Sequence, residues 1–161
     1  MKKIFLSLVF VFIIMFDVFA QQRNDSFVKK NAVYTELGGS GLLYSLNYEY
    51  RIPVNANQRL ALGAGTSVIG TDKFNFIGIT SVNYLIGRKN IFEVGISPAY
   101  IFTNSNFLMS ARIGYRYESS SGLLFRVGFS PIYGKFAETG LKEYSGKVIL
   151  PWGYLSVGYT F

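Results

Sequence analysis

The chain has 161 residues, 16 basic against 9 acidic side chains for a formal charge of +7, and neither histidine nor cysteine. That composition excludes disulfide staples, removes the Ser/His and Asp/His arrangements that activate hydrolytic nucleophiles, and leaves zinc or transition-metal sites without their usual ligands. Half of the residues are hydrophobic and 17% are aromatic, yet beyond the N-terminal segment no run approaches the ~20 apolar residues of a spanning helix.

Lys2 and Lys3 followed by the apolar run 4–16, broken only by Ser7, form the basic and hydrophobic regions of an export signal. Val18-Phe19-Ala20 supplies its cleavage site, so residues 1–20 are expected to be removed, and the run is too short to anchor the chain. No cysteine follows it, which excludes lipoprotein processing. Residues 21–31 are polar and read as a periplasmic lead-in. The chain stays basic without the signal. An exported basic chain meets anionic lipid head groups or lipopolysaccharide phosphates, not nucleic acid.

From residue 32 onward, eight segments alternate apolar and polar residues in the manner of strands: 32–40, 42–52, 58–68, 75–86, 90–102, 106–118, 122–133 and 148–161. Turn-forming residues separate them at 53–57, 70–72, 87–89, 103–105, 119–121 and the longer 134–147. Gly38-Gly39-Ser40-Gly41 lacks a following lysine and precedes a strand, so it reads as a tight hairpin and not as a phosphate loop. Sorting each strand by parity gives one face of Tyr44, Leu46, Tyr48, Tyr50, Ile52, then Phe92, Val94, Ile96, then Ile113, Tyr115, Tyr117, then Phe125, Val127, Phe129. The opposite parity holds Glu36, Glu49, Arg51, Arg59, Glu93, Arg112, Arg116, Glu118 and Arg126. Strands with two or three charges keep them all on one side. The fourth strand is the exception, because Ile77 and Ile79 share a parity with Ser81 and Asn83; a bulge or a partly apolar interior would account for it.

Tyr48, Tyr50, Tyr84, Tyr115, Tyr117, Tyr159 and Phe161 fall near the same end of even-numbered strands, the pattern of an interfacial aromatic girdle. Parity alone does not say which face is inside, and a soluble lipocalin-type barrel would put the apolar face inward. The girdle, the terminal Phe161 and the lack of cysteine favour the membrane arrangement. On these features the chain resembles the small outer-membrane barrels of the OmpA/OmpX type, over its whole length after the signal. The resemblance implies an all-β, transmembrane eight-stranded antiparallel up-and-down β-barrel spanning 32–161 in the bacterial outer membrane. It also implies that Tyr159 and Phe161 in the last strand are read by the barrel insertion machinery.

Val94-Gly95-Ile96-Ser97-Pro98-Ala99-Tyr100 and Val127-Gly128-Phe129-Ser130-Pro131-Ile132-Tyr133 repeat one motif, and a proline inside a closed sheet predicts a bulge near the outer rim. Inward glycines such as Gly63, Gly65, Gly95, Gly114, Gly128 and Gly158 fit a crowded interior. Glu36, Glu49, Glu93, Arg112, Arg116, Glu118 and Arg126 are expected to form a paired network in the lumen, since unpaired buried charge is costly. Above it lie Ser45, Ser67, Ala99, Ile101, Leu108, Ile132 and Trp152. The 134–147 loop, with Lys135, Lys142, Tyr144 and Lys147, is the candidate surface-contact segment. The expected function is non-catalytic, without cofactor: a structural membrane component or the small barrel subunit of an envelope complex with a protein partner. The alternatives are a narrow gated channel, or surface binding through that loop.

Overall fold

The computed structural model describes residues 29–69, 75–103, 105–135 and 147–161. The expected export signal, most of its lead-in, the 70–72 turn, Lys142 and Tyr144 lie outside the described residues. The strands are β1 (Asn31–Gly38), β2 (Tyr44–Asn55), β3 (Gln58–Ile69), β4 (Asn75–Gly87), β5 (Asn90–Ile101), β6 (Asn106–Glu118), β7 (Leu123–Phe129), β8 (Ile132–Lys135), β9 (Lys147–Leu150) and β10 (Gly153–Thr160). Every pairing is antiparallel, and the order closes on itself through β1–β10 and β5–β6. Asn31 and Phe161 exchange both backbone hydrogen bonds at 2.9 Å, which seals the first and last strands at the end carrying the termini.

The ten strands make eight staves. Phe129 pairs with Gly153, and Ile132 pairs with Leu150 in the same register, so β7 and β8 are one stave interrupted at Ser130-Pro131. β9 and β10 are the facing stave, interrupted beside it at Pro151-Trp152. Each proline removes a ladder donor, and placing the two breaks side by side confines the loss to one level of the wall. The sequence predicts each stave as a single segment with a bulge at Pro131; the register is the same on both sides of the break, so no bulge forms there.

Pro98 differs from Pro131 in leaving its strand unbroken. The β4–β5 register is the same on either side of it, so here too no bulge forms, and only the pairing opposite Thr80 and Ser81 lapses. Ser97 Oγ donates to the Thr80 carbonyl at 2.8 Å and replaces the donor that proline lacks. A register shift does occur between Pro53 and Asn55, where β2 runs past its predicted end to a turn at Ala56-Asn57.

The structure decides which parity is inside. Arg51, Arg116, Arg126, Glu49 and Glu93 are fully buried, whereas Leu46, Phe92, Ile96, Ile113, Phe129 and Val157 are exposed. The wall is therefore apolar outside and charged inside. In β4, Ile77, Ile79, Ser81, Asn83 and Leu85 all point inward with no register shift against β3, so the interior is partly apolar and the bulge alternative is discarded.

The β1–β2 connection departs from the predicted hairpin. Its short 3-10 turn, Gly39–Gly41, folds into the barrel, with Gly39, Ser40, Gly41 and Leu42 all buried. Ser40 Oγ meets Ser110 Oγ at 2.6 Å, Ser67 Oγ donates to the Gly41 carbonyl at 3.0 Å, and Trp152 Nε1 donates to the Leu42 carbonyl at 2.9 Å. These bonds tie the turn to three separate staves. Leu42 sits at φ 66, a left-handed conformation that costs a branched residue of order 1–3 kcal/mol. Full burial of a leucine side chain returns ~1.5–3 kcal/mol, so the inward turn is sustained by the apolar cluster it joins.

Candidate functional site in the barrel lumen

The lumen is stacked in layers. At the end that carries the turn, Leu42 packs with Ile69, Ile77, Ile79, Ala99, Ile101, Leu108 and Ile132, against half-buried Val148, Leu150 and Trp152. Beneath it lies a level of short polar side chains, including Ser40, Ser45, Asn47, Ser67, Ser97 and Ser110. The remainder, down to the end carrying the termini, holds arginine and glutamate with two small apolar clusters beside them, Ala61 with Leu85 and Ile91, and Ala32 with Tyr34 and Leu124.

These charges form one connected column. Arg112 pairs with Glu36, whose other oxygen lies 3.8 Å from Arg126 Nη1 and accepts from Ser156 Oγ at 3.0 Å. Arg126 pairs with Glu93, which also accepts from Arg116 Nε at 2.8 Å. Arg116 then holds Glu49 in a fork at 2.6 and 2.8 Å. Glu49 contacts Arg51 at 2.9 Å, Arg51 lies 3.0 Å from Glu118, and Glu118 reaches Arg59 at 3.0 Å. Two tyrosines line the column. The Arg126 guanidinium stands 4.3 Å from the Tyr34 ring centre, and that of Arg112 stands 4.7 Å from Tyr154. Tyr154 fits because Gly114 and Gly128 beside it carry no side chain; a Cβ at either would collide with its ring or hydroxyl.

All seven lumen residues singled out from the sequence, Glu36, Glu49, Glu93, Arg112, Arg116, Glu118 and Arg126, meet in this column. The sequence argument left out Arg51 and Arg59 as members, although both share the inward parity; their partner Glu118 sits on β6, away from β2 and β3. It also gave no role to Tyr34, Tyr154 or Ser40. Tyr159 and Phe161 lie at the rim with the termini, where the Lys29 ammonium stands 5.7 Å from the Tyr159 ring. Lys135 and Lys147 are direct cross-strand neighbours at the opposite end, and Lys147 stands 5.8 Å from the Tyr133 ring.

Desolvation opposes every buried pair here and the chain of shared contacts offsets it, with Arg51, Arg112, Glu118 and Arg126 each keeping at least one polar atom without a hydrogen bond. The column therefore fixes strand register across the barrel and fills the interior. Among the described residues, no group of three or more His, Cys, Asp or Glu side chains comes together as metal ligands. A hollow of about 280 Å³ floored by Gly78, Thr80 and Pro98 and rimmed by Tyr100, Phe102 and Phe107 opens from the outer wall, not from the lumen. A scan against protein-family models finds none that matches the chain, and comparisons with curated proteins and with solved structures likewise find no match.

Proposed function

We propose that this chain is an exported, integral barrel of the bacterial outer membrane with a non-catalytic role, as a structural component or the small barrel subunit of an envelope complex. One observation carries the reading: the barrel is inverted relative to a water-soluble one, with large apolar side chains exposed on its outer face while arginine and glutamate are buried inside. From Phe107 to Tyr117 the exposed face rises roughly 25 Å at ~3.3 Å per residue and ~40° tilt, the height of a lipid-facing band. Near the termini, Tyr48, Tyr84 and Tyr115 hydroxyls donate to Asn31, Gln58 and Asn90 at 2.7, 2.8 and 2.8 Å. Rings on the apolar outer face with hydroxyls turned to a polar rim suit a membrane interface.

The partners in this reading are outer-membrane lipids and lipopolysaccharide, the insertion machinery acting on the last strand, and an envelope protein. Fractionation of native membranes followed by mild-detergent extraction and mass analysis tests it. A stoichiometric co-purifying protein makes the chain a subunit; recovery in the soluble periplasmic fraction refutes the membrane assignment. One observation favours the narrow-channel alternative: Arg116 lies within 2.6, 2.7 and 3.5 Å of three carboxylates, those of Glu49, Glu93 and Glu118, so partner exchange has somewhere to go. The filled lumen weighs against it, and single-channel recording separates the two.

A further inference from the structure

The charge column does not balance. Arg51, Arg59, Arg112, Arg116 and Arg126 face Glu36, Glu49, Glu93 and Glu118, and among the described residues no other formal charge is buried in the lumen. A surplus guanidinium inside a closed barrel is expensive unless an anion accompanies it.

The hydrogen bonding says where that anion belongs. Arg112 Nε, Arg126 Nη1, Ser130 Oγ and Tyr154 Oη are buried and have no hydrogen-bond partner in the protein. All four atoms can donate. They also share one stretch of inner wall. Ser130 falls between the pairs Ile113–Phe129 and Ser110–Ile132, at the level of Arg112. Tyr154 is paired with Gly128, and its ring centre lies 4.7 Å from the Arg112 guanidinium and 5.5 Å from that of Arg126. Glu36 offers Arg126 Nη1 an ion pair at 3.8 Å, beyond hydrogen-bond length. Buried donors left unmet in a native protein call for a ligand, an ion or water.

Elsewhere in the lumen Arg51 Nη1, Arg51 Nη2, Glu118 Oε1 and the acceptor Asn83 Oδ1 are also unmet. Arg51 Nη1 lies 3.0 Å from Glu118 Oε1, itself an unmet acceptor, so a small rotation satisfies both. Around Arg112 and Arg126, Ser130 Oγ and Tyr154 Oη can also accept, but each brings an O–H of its own, so donors remain in excess of acceptors. A water molecule accepts only two hydrogen bonds, whereas a halide accepts from every side. An eight-stranded barrel is largely filled by its own side chains, which favours a small anion over an oxyanion of phosphate size.

We propose that the lumen holds one small monovalent anion, of the charge and size of chloride, between Arg112, Arg126, Ser130 and Tyr154. The inward turn at Leu42 closes the barrel above this level, so the anion is taken up as the barrel forms. The site depends on the closed lumen alone and stands whichever solvent surrounds the wall.

The test refolds the full chain in detergent with sodium chloride, sodium bromide or sodium gluconate at equal ionic strength and reads the urea unfolding midpoint. Saturable stabilisation by halide over gluconate is expected. Tyr154→Phe and Ser130→Ala each remove a donor and keep every charge; each is expected to raise the half-saturating halide concentration roughly tenfold. Crystals of protein refolded in bromide should show one anomalous peak at hydrogen-bond distance from Arg112 Nε and Arg126 Nη1. Equal midpoints in halide and gluconate, an unchanged halide response in both variants, or ordered water at that position would overturn the proposal.

Discussion

Glu93→Gln is the sharpest probe of the column, because Glu93 is the link between its two halves. Its carboxylate accepts from Arg116 Nε at 2.8 Å and Arg126 Nε at 3.2 Å, lies 2.7 Å from Arg116 Nη2, and pairs with Arg126 Nη2. Glutamine preserves the volume and one acceptor but removes the charge. Arg116 keeps its fork with Glu49, so the loss falls on Arg126, left with Glu36 at 3.8 Å. Removing one partner of a buried pair costs ~3–5 kcal/mol, about two to three and a half decades in the unfolding equilibrium. The second half of the test is Glu93→Gln combined with Arg126→Met, which removes the stranded guanidinium and keeps an apolar stem. That double variant is expected to be more stable than the sum of the single losses predicts, with a coupling of ~2 kcal/mol. Urea unfolding of the refolded barrel in detergent, followed by tryptophan fluorescence of Trp152, reads both numbers. A Glu93→Gln loss below ~1 kcal/mol, or strictly additive losses, would show that the column is a set of independent contacts.

The remaining predictions bear on the wall, the plug and the last residue. Ile96 is 51% exposed, so Ile96→Arg is expected to cost ~2–4 kcal/mol for folding into lipid vesicles; a change within ~0.5 kcal/mol would mean the face meets water. Gly39 lies at φ 62, and a Cβ there would overlap the Glu36 carboxylate. Gly39→Ala is therefore expected to destabilise the barrel by at least ~1 kcal/mol in the same urea assay, more than Gly→Ala costs at an unstrained position. Purified wild-type barrel in planar bilayers should give no steady large conductance, and its appearance would refute the filled lumen. Phe161→Ala keeps the paired backbone with Asn31, so a drop in cellular insertion without a drop in refolding stability would assign the side chain to recognition by the insertion machinery.

Parity made the wall legible. Arg112, Arg116 and Glu118 share one side of β6, and Glu49 and Arg51 share one side of β2, because a period of two leaves a strand only two faces. The same rule could not choose the inside. Nor could it read β4, since Ile77 and Ile79 share a parity with Ser81 and Asn83; the apolar level they join is completed by Leu42, delivered from a distant turn. The turn itself was illegible for a related reason. Gly38-Gly39-Ser40-Gly41 satisfies hairpin chemistry, and its inward course rests on Ser67, Ser110 and Trp152, which lie far along the chain. Pro98 and Pro131 occupy the same motif, yet only the second interrupts its stave. The difference is the neighbour: Pro131 lies beside Pro151-Trp152, while Pro98 faces a regular β4 whose carbonyl Ser97 can satisfy.

The two fillings of the lumen constrain each other. A backbone turn brought into a barrel carries carbonyls and amides that must be met, and short serines meet them with little volume, while Gly39 lets the turn rest directly on Glu36 and Arg112. Small apolar clusters sit within the column: Leu85 lies opposite Glu93, Ile91 opposite Arg116, and Leu124 packs with Ala32 and Tyr34. The filling thus runs from an apolar plug with its hydroxyl contacts to a column of ion pairs flanked by small apolar clusters. It also closes the interior twice, by an apolar seal and by a salt-bridged one.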